Sequence, residues 1–535
     1  MINENNSKHL ENEKYIFSNR KIFLLISIIF TISLLIRLNY YDYNIPLTLD
    51  SLNYFFYAMD IKITGEIPIN YSLANNGWAL FSSVFFSIFQ FDNVNQYMQL
   101  QKILSIVISS LTVVPVYFLC KKYFNSAYSL IGAAIIGIEP HLVQNSLLGI
   151  SDSLYIFLVA SSLSLFLSSN QKMIYLSFGL VALSTIVRSE GIFLFFTISI
   201  MYFIIFRKSK KNIIKFIFAL VIFFVLLTPM ILYQNSIYGD DRMFGRAAQS
   251  IVTHTVDPYE TGNISGITFI LQGLENFPKY LGWNMIPIWI IFIPVGIILI
   301  LKNINRRIGI LITGLVVMSL PAFYAYSIPF QDGRYLFFLY PIFCVISLFA
   351  FSKFVELIPI KKNYFVIFLI LAGIGCLSIL YLNEKIDNEH EIEAFEIAKK
   401  LSESQKNVNI YLPENKYLEV ADIEFDLVHF KSDFLNERIM GKSIIDLIHH
   451  NVTSIHIDNV VSHSKFMELS KENEISHFIV DLENNENGFF TEIYHNENDF
   501  PYIKKIFDSN NVGFNYKVKI FEIDYEIFDI QESTQ

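Results

Sequence analysis

Cysteine is nearly missing from this chain of 535 residues. Only Cys120, Cys344 and Cys376 occur, each in or beside an apolar run. That excludes a disulfide framework and a CxxC metal knuckle. Charge is thin as well, at 17% of residues, which is low for a soluble protein. No Walker A loop, no paired GxGxxG after a strand and no HExxH occurs, so nucleotide-driven cytosolic chemistry has no support. A net charge of −9 gives no reason to expect a nucleic-acid partner. No internal repeat and no low-complexity linker is present.

What is abundant is apolar. Hydrophobic residues make up 53% of the chain, aromatic ones 16%, and the mean hydropathy is +0.42. The charge divides unevenly. Residues 1–383 carry 26 Lys/Arg and 18 Asp/Glu, a net of +8. Residues 384–535 carry 14 and 31, a net of −17. An apolar, mildly basic body is thus followed by an acidic polar tail long enough for one domain.

A helix needs roughly 20 apolar residues to cross a bilayer. Eleven segments qualify as candidates: 19–37, 97–119, 126–140, 152–169, 173–188, 190–206, 213–235, 282–301, 308–328, 335–352 and 363–382. The first follows Arg20-Lys21 and lacks a small-residue cleavage site, which reads as a retained span. With residues 1–18 as a cytoplasmic tail, the inside connections hold 18 basic residues and the outside ones 8. This alternation obeys the positive-inside rule and predicts a multi-pass plasma-membrane protein, N-terminus in and C-terminus out. Outer loops 38–96 and 236–281 and the tail 384–535 then lie outside. WALFSSVFFSIFQF, 78–91, is too short to span and reads as interfacial or re-entrant. Sequons at Asn70, Asn263 and Asn451 all fall outside.

In the tail, EIEAFEIAKKL (391–401) has amphipathic helical spacing. NVNIYL (407–412), SIHID (454–458), HFIVDL (477–482) and YKVKIFEID (516–524) read as strands, with IIDLIHH and FMELSKEN as helices between them. The expected architecture is a polytopic α-helical membrane domain, 19–383, with a small extracytoplasmic α/β domain, 384–535.

Ionisable groups at membrane depth or at its rim are costly and mark function by default. Asp50 lies in IPLTLDSLNYFFYAMDI, just past the first span. It either caps the aromatic helix that follows or serves as a proton acceptor in a half-dry cleft. Asp152 in LLGISDSLYIF sits at the start of the fourth span, on the same expected face. Glu139 and His141 in IEPHLVQNS share its turn; a histidine so placed is more often solvated or packed than a ligand. Arg188 in STIVRSEG and Arg334 in QDGRYLFFLYP end spans on the side where positive charge is disfavoured. Snorkelling explains them, and so does phosphate binding by the guanidinium fork. Asp60, about 80° around a continuous helix from Asp50, Glu66, and His254 in IVTHTVDPYE complete the set.

LDSLNYFFYA, GISDSLYIF, VRSEG and DGRYLFFLYP, with one span, a long acidic outer loop and many further spans, resemble the GT-C membrane glycosyltransferases. The likeness covers roughly residues 20–350 and is nearest to the protein mannosyltransferases and the lipid A aminoarabinose transferase. It implies that Asp50 is the general base, that Asp152 is a second acidic site, and that Arg334 and Tyr335 flank a lipid phosphate. Two departures stand out. Asp50-Ser51 replaces the mannosyltransferases' Asp-Glu pair, and a WWDYG-type motif is missing, since no Trp precedes an Asp. The resemblance further implies a polyprenyl-phosphate-linked sugar donor and a protein, glycan or lipid acceptor. It implies inverting transfer in the cell envelope, with a divalent metal left open. The competing reading is a transporter or flippase for a lipid-linked sugar. Against it, the ionisable residues cluster at one end of the spans rather than at the midplane.

Overall fold

The computed structural model describes residues 18–45, 47, 50–68, 75–91, 94–168, 170–206, 209–238, 266–302, 306–328, 332–359, 363–386, 388–389, 392–393, 408–411, 452–455, 463–472, 475–482, 488–515 and 517–534. The chain folds as two compact units. One comprises Met1–Tyr41, Tyr71–Ser82 and Gln101–Ile386; the other comprises Asp42–Asn70, Ser83–Leu100 and Asp387–Gln535.

The first unit is helical. Its elements are α1 (Asn19–Tyr40), the parts of α3 (Gly77–Ile88) and α4 (Val94–Leu111) outside the second unit, then α5 (Val113–Cys120) and α6 (Ser126–Ile138), while α2 (Asp50–Thr64) lies wholly in the second unit. There follow α7 (Pro140–Leu147), α8 (Asp152–Phe166), α9 (Gln171–Val187), α10 (Gly191–Ile205) and α11 (Lys210–Tyr238). The last are α12 (Gly266–Met285), α13 (Trp289–Lys302), α14 (Arg306–Ser327), α15 (Tyr340–Glu356) and α16 (Asn363–Lys385). Among the described residues, six helices are long and apolar enough to cross a membrane, or eight if each bent pair forms one span. Helices α8, α9 and α10, at 15 to 17 residues, are shorter than a full crossing.

Two expected segments differ in detail. Residues 282–301 are not one helix: α12 ends at Met285, and α13 leaves at 115° to it. Pro287 lies in the break, because proline cannot supply the amide that continuous helix needs. Both ends of the expected loop 236–281 are helical, with α11 running to Tyr238 and α12 beginning at Gly266. The segment 335–352 opens as a 3-10 turn, Gly333–Leu339, before α15 begins.

Side-chain caps start several helices: Ser18 for α1, Asn125 for α6 and Asn170 for α9. Small hydroxyls hold them together. Ser105 and Ser153 Oγ atoms meet at 2.8 Å, and Ser177 donates to the Ser162 carbonyl at 2.9 Å. Burial sorts the layers. The apolar windows of α1 and α16 are only 11% and 17% buried, whereas that of 333–356 is 83% buried. The first two therefore present apolar surface outward, as lipid contact requires, and the segment carrying the GRY turn runs through the middle.

In the second unit, α2 is anchored by aromatic contacts. Phe55 packs edge-on against Phe86 at 5.7 Å, Phe86 against Tyr97 at 5.5 Å, and Lys62 Nζ lies 4.7 Å over the Tyr97 ring. The tail holds a five-stranded sheet of β1 (Val408–Tyr411), β2 (Val452–Ile455), β3 (His477–Asp481), β4 (Ile503–Asp508) and β5 (Val518–Ile523), in the order β2-β1-β3-β5-β4. The β1 pairings are parallel and the β5 pairings antiparallel. Phe466, Phe478, Phe490 and Phe521 form its core. Strand β4 escaped the sequence reading because its burial does not alternate: a bulge falls between Lys505 and Phe507. The FMELSKEN helix is present within His463–Glu472. IIDLIHH, most of 391–401 and the three sequon asparagines lie outside the described residues.

Candidate active site

In the helical unit the candidate site gathers at one end of α8, α9 and α10. Helix α9 stops at Val187 and α10 restarts at Gly191, leaving a three-residue corner, 188–190. The corner is tight because Gly191 has no side chain: a Cβ there would stand 2.6 Å from the Thr185 amide nitrogen. Its geometry turns Arg188 and Glu190 toward Asp152, the first residue of α8.

Arg188 is the hub. Its Nη1 bonds Asp152 Oδ1, and its Nη2 bonds Glu190 Oε1 at 2.8 Å. Its guanidinium lies 5.6 Å from the Tyr335 ring centre and 6.0 Å from that of Tyr155. The Arg188 side chain is 17% exposed, Asp152's 5% and Glu190's 14%. A guanidinium so far from water holds two carboxylates apart and leaves little of itself accessible. Asp152 Oδ2, Glu190 Oε2 and the Tyr155 hydroxyl have no hydrogen-bond partner among the described residues. Each retains capacity for a ligand.

The GRY turn forms the neighbouring wall. Asp332 caps it by accepting from the Arg334 amide at 2.8 Å, and its other oxygen accepts from Arg334 Nε at 2.5 Å. Asn284 Nδ2 donates to the Gly333 carbonyl at 3.0 Å, and Tyr340 donates to the Asn284 carbonyl at 3.0 Å. Residue 333 packs closely here, since a Cβ would meet Asn284 Oδ1 at 2.8 Å and push the Asn284 side chain aside. Arg334 and Asp332 both act electrostatically on Asp152, so the turn and the Arg188 cluster form one charged neighbourhood.

Glu139 and His141 lie at the break between α6 and α7, where the axis bends by 46°. Glu139 is fully buried and caps α7, accepting from the Leu142 amide at 2.7 Å. Its other oxygen meets His141 Nδ1 at 2.9 Å. Just before the break, the buried Arg37 of α1 donates to the Gly137 carbonyl at 2.7 Å and to both Ser33 and Ser109. A cavity of about 430 Å³ opens beside His141, lined also by Lys279, Trp283, Arg334, Phe337 and Tyr381.

The structure therefore joins Asp152, Arg188, Arg334 and Tyr335, and sets His141, with Glu139 buried behind it, on the cavity that Arg334 shares. Neither arginine merely snorkels, for each is ion-paired to a carboxylate. Asp50 and Asp60 lie in the second unit, on one unbroken helix: Asp50 is exposed in its first turn, and Asp60 is fully buried rather than facing water. Glu66 is exposed, and His254 lies outside the described residues. Among the described residues no three His, Cys, Asp or Glu side chains come together as a metal site, so a divalent metal finds no ligand set there. The sequence reading passed over Glu190, Asp332, Lys279 and Tyr381. The first two carried a signal, each being a carboxylate two residues from an arginine.

Residues 78–233 match the model of the dolichyl-phosphate-mannose-protein mannosyltransferase family. No curated protein sequence matches the chain. Among solved structures, ArnT from Cupriavidus metallidurans bound to undecaprenyl phosphate aligns with a TM-score of 0.57 at 10% identity, over 94% of this chain and 98% of that one. The Archaeoglobus fulgidus oligosaccharyltransferase tethered with an acceptor peptide aligns with a TM-score of 0.51 at 11% identity, over 86% and 69%. The same archaeal enzyme, AglB, in complex with an inhibitory peptide and a dolichol-phosphate, aligns with a TM-score of 0.50 at 12% identity, over 87% and 70%. In fold the chain resembles ArnT and the archaeal oligosaccharyltransferase, as a multi-pass membrane protein, and its residues 78–233 carry the likeness to the protein mannosyltransferase family.

Proposed function

We propose that the protein is a glycosyltransferase that moves a sugar from a polyprenyl-phosphate donor to a hydroxyl acceptor, with inversion. The observation that carries this reading is the meeting of Arg188 and Arg334 with Asp152 at one end of a GT-C helical body. It is supported by the polyprenyl phosphates bound to the ArnT and AglB structures. Arg334, beside the cavity, receives the donor phosphate. Arg188 lies behind it, held in place by Asp152 and Glu190. Asp50 takes the acceptor hydroxyl proton as that oxygen bonds the anomeric carbon. The bond from that carbon to the phosphate oxygen breaks, and its electron pair leaves with the lipid phosphate. Because a phosphate departs without protonation, fixed positive charge dominates over acid catalysis. The transfer is proposed for the outer membrane face, with a peptide, glycan or lipid hydroxyl as acceptor. The acidic tail serves as an accessory domain.

The test is transfer by the purified protein in proteoliposomes, from a labelled polyprenyl-phosphate sugar. Release of free polyprenyl phosphate with a product of inverted anomeric configuration is expected. Asp50→Asn should lower turnover by about 10²-fold or more, as loss of a general base does. Sugar-lipid that crosses the bilayer uncleaved would identify a flippase and refute the reading. Full turnover in Asp50→Asn would remove that residue from its role.

A further inference from the structure

Tyr381, in the last helix of the helical unit, has no part in the mechanism above, yet it lines the same cavity as Arg334. Its hydroxyl lies 3.2 Å from His141 Nε2, and the opposite ring nitrogen, Nδ1, lies 2.9 Å from Glu139. A carboxylate oxygen only accepts, so His141 Nδ1 donates to Glu139. With the imidazole in its neutral form, Nε2 is an acceptor. In that form Tyr381 donates its O–H inward to His141, and the lone pairs of its oxygen face a ligand. Ring contacts hold the pair in place: His141 and Tyr381 centroids are 5.2 Å apart, and His141 and Phe337 5.8 Å. The helix bearing Tyr381 is itself tied to α1 by a 2.7 Å bond between Tyr40 and Asn383.

The cavity is thus chemically two-sided. Lys279 and Arg334 present cations, which suit a phosphate. Tyr381 presents an oxygen that can only accept, which disfavours an anion and suits a hydroxyl. Trp283 and Phe337 supply apolar faces of the kind against which a pyranose ring packs. We propose that the Glu139–His141–Tyr381 chain forms the sugar subsite of this cavity: Tyr381 accepts a hydrogen bond from a hydroxyl of the donor sugar, and Glu139 and His141 are the positioning residues that hold it as an acceptor. The inference rests on the glycosyl-donor reading and assigns a residue to the sugar rather than to the phosphate.

Binding, rather than turnover, separates the two. Affinities of the detergent-solubilised full chain are measured for two probes, a polyprenyl-phosphate mannose and the bare polyprenyl phosphate. Tyr381→Phe keeps the ring and removes only the oxygen. It should weaken the sugar-bearing probe about 5- to 15-fold, as loss of one buried hydrogen bond does, and leave the bare phosphate unchanged. Glu139→Gln frees the His141 tautomer and should produce the same selective loss with the phenol still present. Arg334→Ala should weaken both probes together. Equal affinity of the wild type for the two probes, or equal loss of both in Tyr381→Phe, overturns the inference and leaves the donor reading standing. If neither probe binds the wild type, the donor reading itself fails.

Discussion

Removing the guanidinium of Arg188 should unfold the helical unit far more readily than removing its whole ion cluster. In Arg188→Met, Asp152 and Glu190 would be left facing each other with side chains only 5% and 14% exposed. Breaking a buried ion pair from one side costs about 3–5 kcal/mol, because the abandoned charge remains in low dielectric. Here a single cation serves two carboxylates, so the upper part of that range is expected. At about 1.4 kcal/mol per decade, this is a thousand-fold change in the folding equilibrium. Adding Asp152→Asn and Glu190→Gln removes the stranded charges. The triple variant should recover most of the loss and end within about 1–2 kcal/mol of wild type, the cost of poorly bonded buried amides. Unfolding in mixed micelles, followed by the fluorescence of Trp78, Trp283 and Trp289, measures both. A single-variant loss below about 1 kcal/mol, or a triple variant no better than the single, would refute the account of Arg188 as a buried hub.

Gly191→Ala drives a methyl to 2.6 Å from the Thr185 backbone and forces the 188–190 corner open. A stability loss of about 1–3 kcal/mol, typical of overpacking, should come with a larger fall in donor affinity than Gly282→Ala, whose Cβ meets nothing within 4 Å. Equal behaviour of the two variants would contradict it. In the tail, burial alone would raise the Glu497 and Asp508 carboxyls. Hydrogen bonds from Lys505 and Lys519 to Glu497, and from Lys505 to Asp508, instead hold both below their ordinary values. A depressed folded pKa stabilises above the unfolded value and is lost as pH falls through the folded one. Amide protection of β4 and β5 in the full chain should therefore hold near neutrality and decline below the ordinary carboxylate range. Protection that rises on acidification would reverse the sign and refute the pairing.

Hydropathy and charge alternation were enough to fix the class of this protein, because crossing a bilayer demands apolar length at each pass. They also picked out Asp152, Arg188 and Arg334, whereas Tyr335 came only from the family resemblance. Each of the first three is an expensive polar group at the end of an apolar run, and such groups survive mainly where something uses them. Span lengths were less legible. Apolarity does not distinguish a helix that crosses from one that breaks midway, and so the bend between Met285 and Trp289 was invisible. Glu139 and His141 read only as neighbours at the turn before the fourth span, and the structure buries both at the break between α6 and α7.

Local sequence thus determined which segments are helical, where their caps lie and which charges stand at their ends, since capping, apolar run length and residue spacing act over a few neighbours. Only the tertiary structure decided what those charges meet. Arg188 and Asp152 are 36 residues apart, and His141 and Tyr381 are 240 apart. Their partnerships depend on how α8, α9 and α10 pack and on where the last helix docks. Packing of that kind is set by small side chains such as Gly191 and Ser153, through close approaches that leave no periodic trace in a sequence.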